Sequence, residues 1–200
     1  SKSSEYLKVN GLNIFNYLNL YNRLLRHGIH NFYKINNSID CIAIKGKILF
    51  YENKILINVL ELEKGSRPLR NGIAHKDEYI IYSEYHGNKD KEPINIYKYN
   101  FIKNYREVLY TFNGIRHIHF IQLDINDSNK VYIGTGDLDK ECGIYKFDLN
   151  KSSLEKTGGG SQIWRAVSLL QNSKDLFWGT DDPDGKNHIV RYGLEDKRLE

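Results

Sequence analysis

Residues 142–148 read CGIYKFD, and two other stretches repeat that grammar, INIYKYN at 94–100 and NHIVRYG at 187–193. Each sets an Ile, an apolar or aromatic residue, a cation and an aromatic in a row. The Ile positions are Ile96, Ile144 and Ile189, with steps of 48 and 45. Upstream of each lies a second strand-like run: YIIYSEYHG from Tyr79, VYIGTGDLD from Val131 and LFWGTDDPD from Leu176. Gly134-Thr135 and Gly179-Thr180 correspond there, with Ser83-Glu84 in the preceding unit. A third run lies further upstream, LRNGIAH, IRHIHFI and WRAVSLL, aligning Ile73, Ile118 and Val167. LRHGIHNFYKI, IDCIAIK, KILFYEN and ILINVLEL supply one more unit before these, with Ile29 matching Ile73. YREVLYTF from Tyr105 is the fourth strand of the next unit.

Four short runs per unit, a period of about 46 residues and alternation within each run predict four-stranded blades rather than helical repeats. The predicted fold is therefore all-β: a β-propeller of four blades, each about four antiparallel strands. A blade cannot bury both faces alone, so blades come in rings. The blades are placed at 24–66, 67–112, 113–160 and 161–200, after an N-terminal segment 1–23. The last lacks a clear fourth strand. Glu5–Val9 would complete it in a closed four-bladed ring. The favoured expectation is instead an open segment of a ring of roughly six to eight blades. The missing blades would then come from the rest of the chain or from another copy.

Composition narrows the partners. The formal charge is +4, with 29 Lys and Arg against 25 Asp and Glu and no long basic run, so nucleic acid is not an expected partner. The mean hydropathy of −0.58 and the short apolar runs predict no membrane-spanning helix. Cys41 and Cys142 sit in apolar strand-like runs and read as buried free thiols. Gly158-Gly159-Gly160 is no phosphate loop, because no Lys-Ser/Thr follows it. No cofactor is expected.

The phrases KGSRPLRNGI, IRHIHFIQLD, YIGTGDLDKECGIYKFD, GGGSQIWRAVSLL and WGTDDPDGKNHIVR resemble a family of sialidase-like propellers with degenerate BNR (Asp-box) repeats. The resemblance covers most of residues 23–200. It implies either a glycoside hydrolase or lyase of acidic sugars or a non-catalytic binder. The boxes have decayed: Asp148 is kept, but Asn150 stands where Gly is expected, and Asn100 and Gly193 replace the Asp in the other blades. No residue matches a sialidase nucleophile or its acid/base.

Arg26, Arg70, Arg116 and Arg165 stand at the start of the first strand of successive blades, at steps of 44, 46 and 49. First strands line a propeller's channel, so these guanidinium groups are predicted to share one mouth and bind an anionic glycan. The competing reading makes them staples between blades. A one-residue slip between the pairs Arg26/Arg70 and Arg116/Arg165 would turn them to different faces. His30 and His119 follow matched Ile residues, and His117 shares a face with His119. Such histidines serve as hydrogen-bond partners or as part of a metal site, and no metal is predicted. Glu84, a charge inside a strand-like run, needs a cation, expected from a neighbouring first strand. Asp137, Asp139, Asp181, Asp182 and Asp184 read mainly as turn formers. Trp164 and Trp178 read as filling between blades rather than as sugar platforms. Two functions follow: binding or processing of an acidic carbohydrate, or a propeller scaffold for protein–protein interaction.

Overall fold

The computed structural model describes residues 28–63, 66–68 and 71–200, and these form fifteen strands and one short 3-10 turn. The chain falls into two compact units, 1–67 and 68–200. The first holds one sheet, with β1 (Ile29–Lys34), β2 (Ile39–Ile44), β3 (Lys47–Glu52) and β4 (Ile55–Glu61) paired in chain order. Every neighbour is antiparallel. Asn53 and Lys54, both at positive φ, close the β3–β4 hairpin in the two-residue turn that suits the twist of the strands. The central strands β2 and β3 bury Cys41, Ile42, Ala43, Ile48 and Phe50.

The second unit holds three further sheets. One is β5 (Ile73–Lys76), β6 (Tyr79–Ser83), β7 (Ile94–Asn100) and β8 (Tyr105–Phe112). The next is β9 (Ile118–Leu123), β10 (Lys130–Thr135), β11 (Gly143–Asp148) and β12 (Ser153–Gly159). The last is β13 (Leu170–Gln171), β14 (Asp175–Gly179) and β15 (Ile189–Gly193). Each is a meander in chain order, the all-β blade pattern that the repeat predicts.

The middle sheet shows why blades need neighbours. Along β10, Val131 and Ile133 pack with Ala74, Ile81 and Ile96 of the preceding sheet. Tyr132, between them, packs instead with Trp164, Leu176 and Trp178 of the following one. Successive strand residues point to opposite faces, so one alternating run serves two cores. Trp164 and Trp178 stack at 5.3 Å, and the Trp178 indole N–H donates to the Ile163 carbonyl at 2.7 Å. Both tryptophans are thus packing elements. Ile96 and Ile144 are fully buried between sheets of the second unit, whereas the equivalent Ile189 on the last strand of that unit is 88% exposed.

Third strands match as the sequence predicts: Ser83 faces Ile96, Gly134 faces Ile144 and Gly179 faces Ile189. First strands slip. Ile73 faces Tyr82, and Ile133, the residue matching Tyr82, faces Ile121 rather than Ile118. In the last sheet Thr180 bridges Ala166 as Thr135 pairs with Ile118, so Ala166 and not Val167 is the equivalent residue. The expected continuous first strand WRAVSLL is instead a 3-10 turn at Gln162–Trp164, one bridge and two residues of β13. Residues 198–200 hydrogen-bond back to Arg191 and Gly193 of β15, so a fourth edge begins there.

The turns after β7 and β11 are closed by side-chain oxygens. Asp148 Oδ1 accepts the N–H groups of Asn150 and Lys151 at 3.0 Å. Asn100 Oδ1 does the same for Ile102 and Lys103, at 3.1 and 2.8 Å. An amide oxygen replaces a carboxylate oxygen without loss of the turn. Cys41 and Cys142 are buried free thiols. Burial pushes them up to about 12 and about 11. Among the described residues no helix is long and apolar enough to cross a membrane.

Candidate functional site

The loop between β10 and β11 carries the site. Gly136 has φ +90°, and a Cβ there would meet the Glu141 carbonyl carbon at 2.2 Å, so the loop folds back on itself only with glycine. The Gly136 N–H donates to the His117 carbonyl at 3.0 Å, and the Thr135 hydroxyl donates to the Glu141 carbonyl at 2.7 Å. One residue further, Asp137 points its carboxylate back toward the residues leading into β9.

Four basic side chains converge on that carboxylate. His117 Nδ1 lies 2.9 Å from Oδ2, and His119 Nε2 lies 3.2 Å from Oδ1. The His119 contact is close, but its angle falls outside hydrogen-bond geometry. Arg165 Nη2 lies 3.4 Å from Oδ1, and Arg116 Nη1 lies 3.6 Å from Oδ2. Arg165 Nη1 also donates to the Asp137 carbonyl at 3.3 Å. His117 Nε2 meets the His86 carbonyl at 3.1 Å. His117 thus meets an acceptor at each ring nitrogen, which fixes the ring between the two. The hydrogen bond from His117 first, and the close His119 ring second, hold the Asp137 carboxyl well below the usual carboxylate range, against the opposing effect of burial.

Asp137 is therefore not a turn former, as its place in an Asp-rich loop suggests, but the centre of a charge cluster. Asp182 does form a turn: its Oδ1 accepts from Asp184 and Gly185 at 3.0 Å. Asp139 accepts from Gln162 at 2.9 Å, and Asp181 lies 3.8 Å from Arg165 Nη2. Glu141, buried beside them, pairs with Lys91 and accepts the Arg116 backbone N–H at 3.0 Å.

The predicted arginines separate. Arg116 and Arg165 meet at Asp137. Arg26 and Arg70 lie outside the described residues. The Asp181 N–H donates to the Arg165 carbonyl as the Gly136 N–H donates to that of His117, so Arg165 is the counterpart of His117 and not of Arg116. The slip thus falls between Arg116 and Arg165, which the sequence aligns with each other; the slip suspected between Arg26/Arg70 and this pair lies outside the described residues. The two arginines still converge, because Arg116 precedes β9 and reaches Asp137 from outside the ladder. The Nε atoms of both are buried without a hydrogen-bond partner.

Glu84 is not part of this cluster. Glu84 is buried and faces Arg106 Nη1, from β8 of its own sheet, at 3.7 Å. An outer-strand arginine reaches it because the guanidinium lies across the Tyr97 ring, 4.8 Å from its centroid. His30 lies on β1, in the first unit. His119 is in the cluster as the sequence predicts. His117 was noticed only through its spacing, and Asp137 was masked by the turn reading.

Two cavities adjoin the cluster. One of about 1020 Å³ is lined by Arg116, Arg165, Lys91, Lys140, Gln162 and the acidic loops. The other, of about 610 Å³, is lined by Asn71, Tyr85, His119, Arg165, Val167, Ser168 and Asp181. Asp137 lines both. Among the described residues no group of three or more His, Cys, Asp or Glu is arranged to hold a metal ion.

No family model matches the chain, and no curated protein matches it in sequence. Solved structures do match in shape. The extracellular domain of a hybrid two component system from B. thetaiotaomicron aligns with a TM-score of 0.58 at 14% identity, over 98% of this chain and 23% of that one. TolB from Acinetobacter baumannii aligns with a TM-score of 0.53 at 12% identity, over 90% of this chain and 44% of that one. At such identities the likeness shows the fold alone, and the fold is of the β-propeller type. The chain spans less than half the length of either structure.

Proposed function

We propose that the cleft at Asp137 binds an anionic ligand, an acidic carbohydrate, in a propeller of sialidase-like ancestry. The observation that carries this reading is the convergence of two guanidinium groups on one cleft: Arg165 and Arg116 both reach Asp137, at 3.4 and 3.6 Å. At those distances neither fork closes tightly on the carboxylate, so each keeps donors for a second, closer anion. A ligand carboxylate or sulfate in the larger cavity meets the planar forks of Arg116 and Arg165.

Binding is better supported than hydrolysis. A general acid must hold its proton near neutral pH, and the basic neighbours of Asp137 keep it ionised. A second reading, a scaffold without ligand, draws on Arg165, which ties Asp137 of one sheet to Asp181 near the next.

Titration calorimetry separates the two. The intact protein is titrated with sialic acid, uronic acids and sulfated sugars, alongside Arg116→Ala and Arg165→Ala. Each charge-assisted contact contributes about 1.5–3 kcal/mol, so each variant should bind roughly one to two powers of ten more weakly. No binding in the millimolar range, or equal binding by both variants, would leave the scaffold reading in place.

A further inference from the structure

The two cavities share Asp137 and Arg165 and no other lining residue among those described. The Asp137–Arg165 pair is thus a partition with space on both sides. Each side falls near the volume of an ordinary small-ligand site, about 300–1,000 Å³. The sides differ in chemistry. The larger is densely charged: beyond the shared pair it carries Arg116, Lys91 and Lys140 together with Asp139, Glu141, Asp182 and Asp184. Among the described residues the smaller adds no Lys or Arg and one carboxylate, Asp181, and it offers the Tyr85 ring, the Asn71 amide and the Ser168 hydroxyl.

We infer that the smaller cavity is a second subsite, for a neutral sugar ring, so that the ligand is an oligosaccharide spanning the partition with its acidic unit on the arginine side. This rests on the proposed anion site. Tyr85 packs against His117 at 4.5 Å between ring centroids, which fixes an aromatic surface at the cavity wall. A ring of C–H bonds with hydroxyl groups at its edge suits an apolar platform beside scattered polar groups. The Asn71 amide is held only by a 3.5 Å contact to the Val167 carbonyl, so exchanging that contact for a sugar hydroxyl loses little. Ser168 is exposed at the rim. His119 is held against Asp137, and its other ring nitrogen has no hydrogen-bond partner among the described residues, which leaves it available to a hydroxyl.

The test compares glucuronic acid, an aldobiouronic acid (one uronate linked to one neutral sugar) and the neutral disaccharide cellobiose, by calorimetry on the intact protein. The aldobiouronic acid should bind about tenfold more tightly than glucuronic acid. Tyr85→Ala should erase that gain. Ser168→Trp, which fills the exposed rim without touching the packing of Tyr85 on His117, should erase it too and leave glucuronic acid binding as before. Arg116→Ala should weaken both acids by the same factor. Equal affinity for the two acids, or a gain that survives Ser168→Trp, overturns the subsite and leaves the anion site standing. Cellobiose binding that Ser168→Trp removes, with no binding of either acid, overturns the anion site and keeps the subsite. No binding of any of the three overturns both.

Discussion

Replacing Asp137 by Asn keeps the shape of the side chain and removes the charge on which His117, His119, Arg116 and Arg165 converge. Asp137 is 13% exposed, and its imidazole partners are 11% and 8% exposed. Removing one partner from a buried ion cluster costs about 3–5 kcal/mol, and the adjoining cavities place this one near the lower end, at about 3 kcal/mol. For a protein of this size that is a fall in melting temperature of roughly 6–12 °C at pH 7. The pH dependence follows from the sign of the shift. The folded carboxyl sits below its unfolded value of about 3.9, so its contribution is complete above that pH. It is lost as the pH falls through the folded value. The part of the melting gap between wild type and Asp137→Asn that comes from the carboxyl's own titration should thus persist down to about pH 4 and narrow in stronger acid. Asp181→Asn is the control, since its carboxylate is 57% exposed and an exposed pair contributes about 0–1 kcal/mol. Scanning calorimetry across pH reads all three proteins. A variant melting within about 2 °C of wild type at pH 7, or a gap unchanged in acid, would refute the cluster's role in holding the fold.

Gly134→Ala should destabilise by about 1–3 kcal/mol in urea unfolding, because the new Cβ would sit 2.1 Å from the Phe120 ring. Asn100→Asp should leave stability within about 0.5 kcal/mol, since either side-chain oxygen closes the β7–β8 turn, whereas Asn100→Ala should cost about 1 kcal/mol by the same measurement. With thiols pushed up to about 12 and about 11, neither Cys41 nor Cys142 should react with a disulfide reagent at pH 8 until denaturant is added; native-state labelling would contradict their burial.

Most of the fold was legible because a blade writes its two faces into every strand. Val131, Tyr132 and Ile133 alternate between two cores, and that alternation recurs in unit after unit. Third strands aligned correctly, since Ile96, Ile144 and Ile189 sit in regular ladders. First strands did not. A bulge between Gly134 and Thr135 and the 3-10 turn at Gln162–Trp164 each shift the register, and no composition signal marks either. The site was half legible. Arg116, Arg165 and His119 could be picked out by residue type and period. Asp137 could not, because an aspartate in a Gly-Asp loop looks the same whether it caps the loop or turns inward. The deciding feature is Gly136, whose close approach to Glu141 turns the next side chain toward β9. The Arg106 contact of Glu84 could not be read from the repeat, because Arg106 lies on the outermost strand and reaches across Tyr97.

The central claim is that an anion completes the charge cluster at Asp137. A crystal structure of the intact protein grown with a uronic acid tests it most directly. The account predicts the ligand carboxylate within hydrogen-bonding distance of the Arg116 or Arg165 Nη atoms, in the cavity that both line. An empty cleft, with the acid bound elsewhere or not at all, would contradict it.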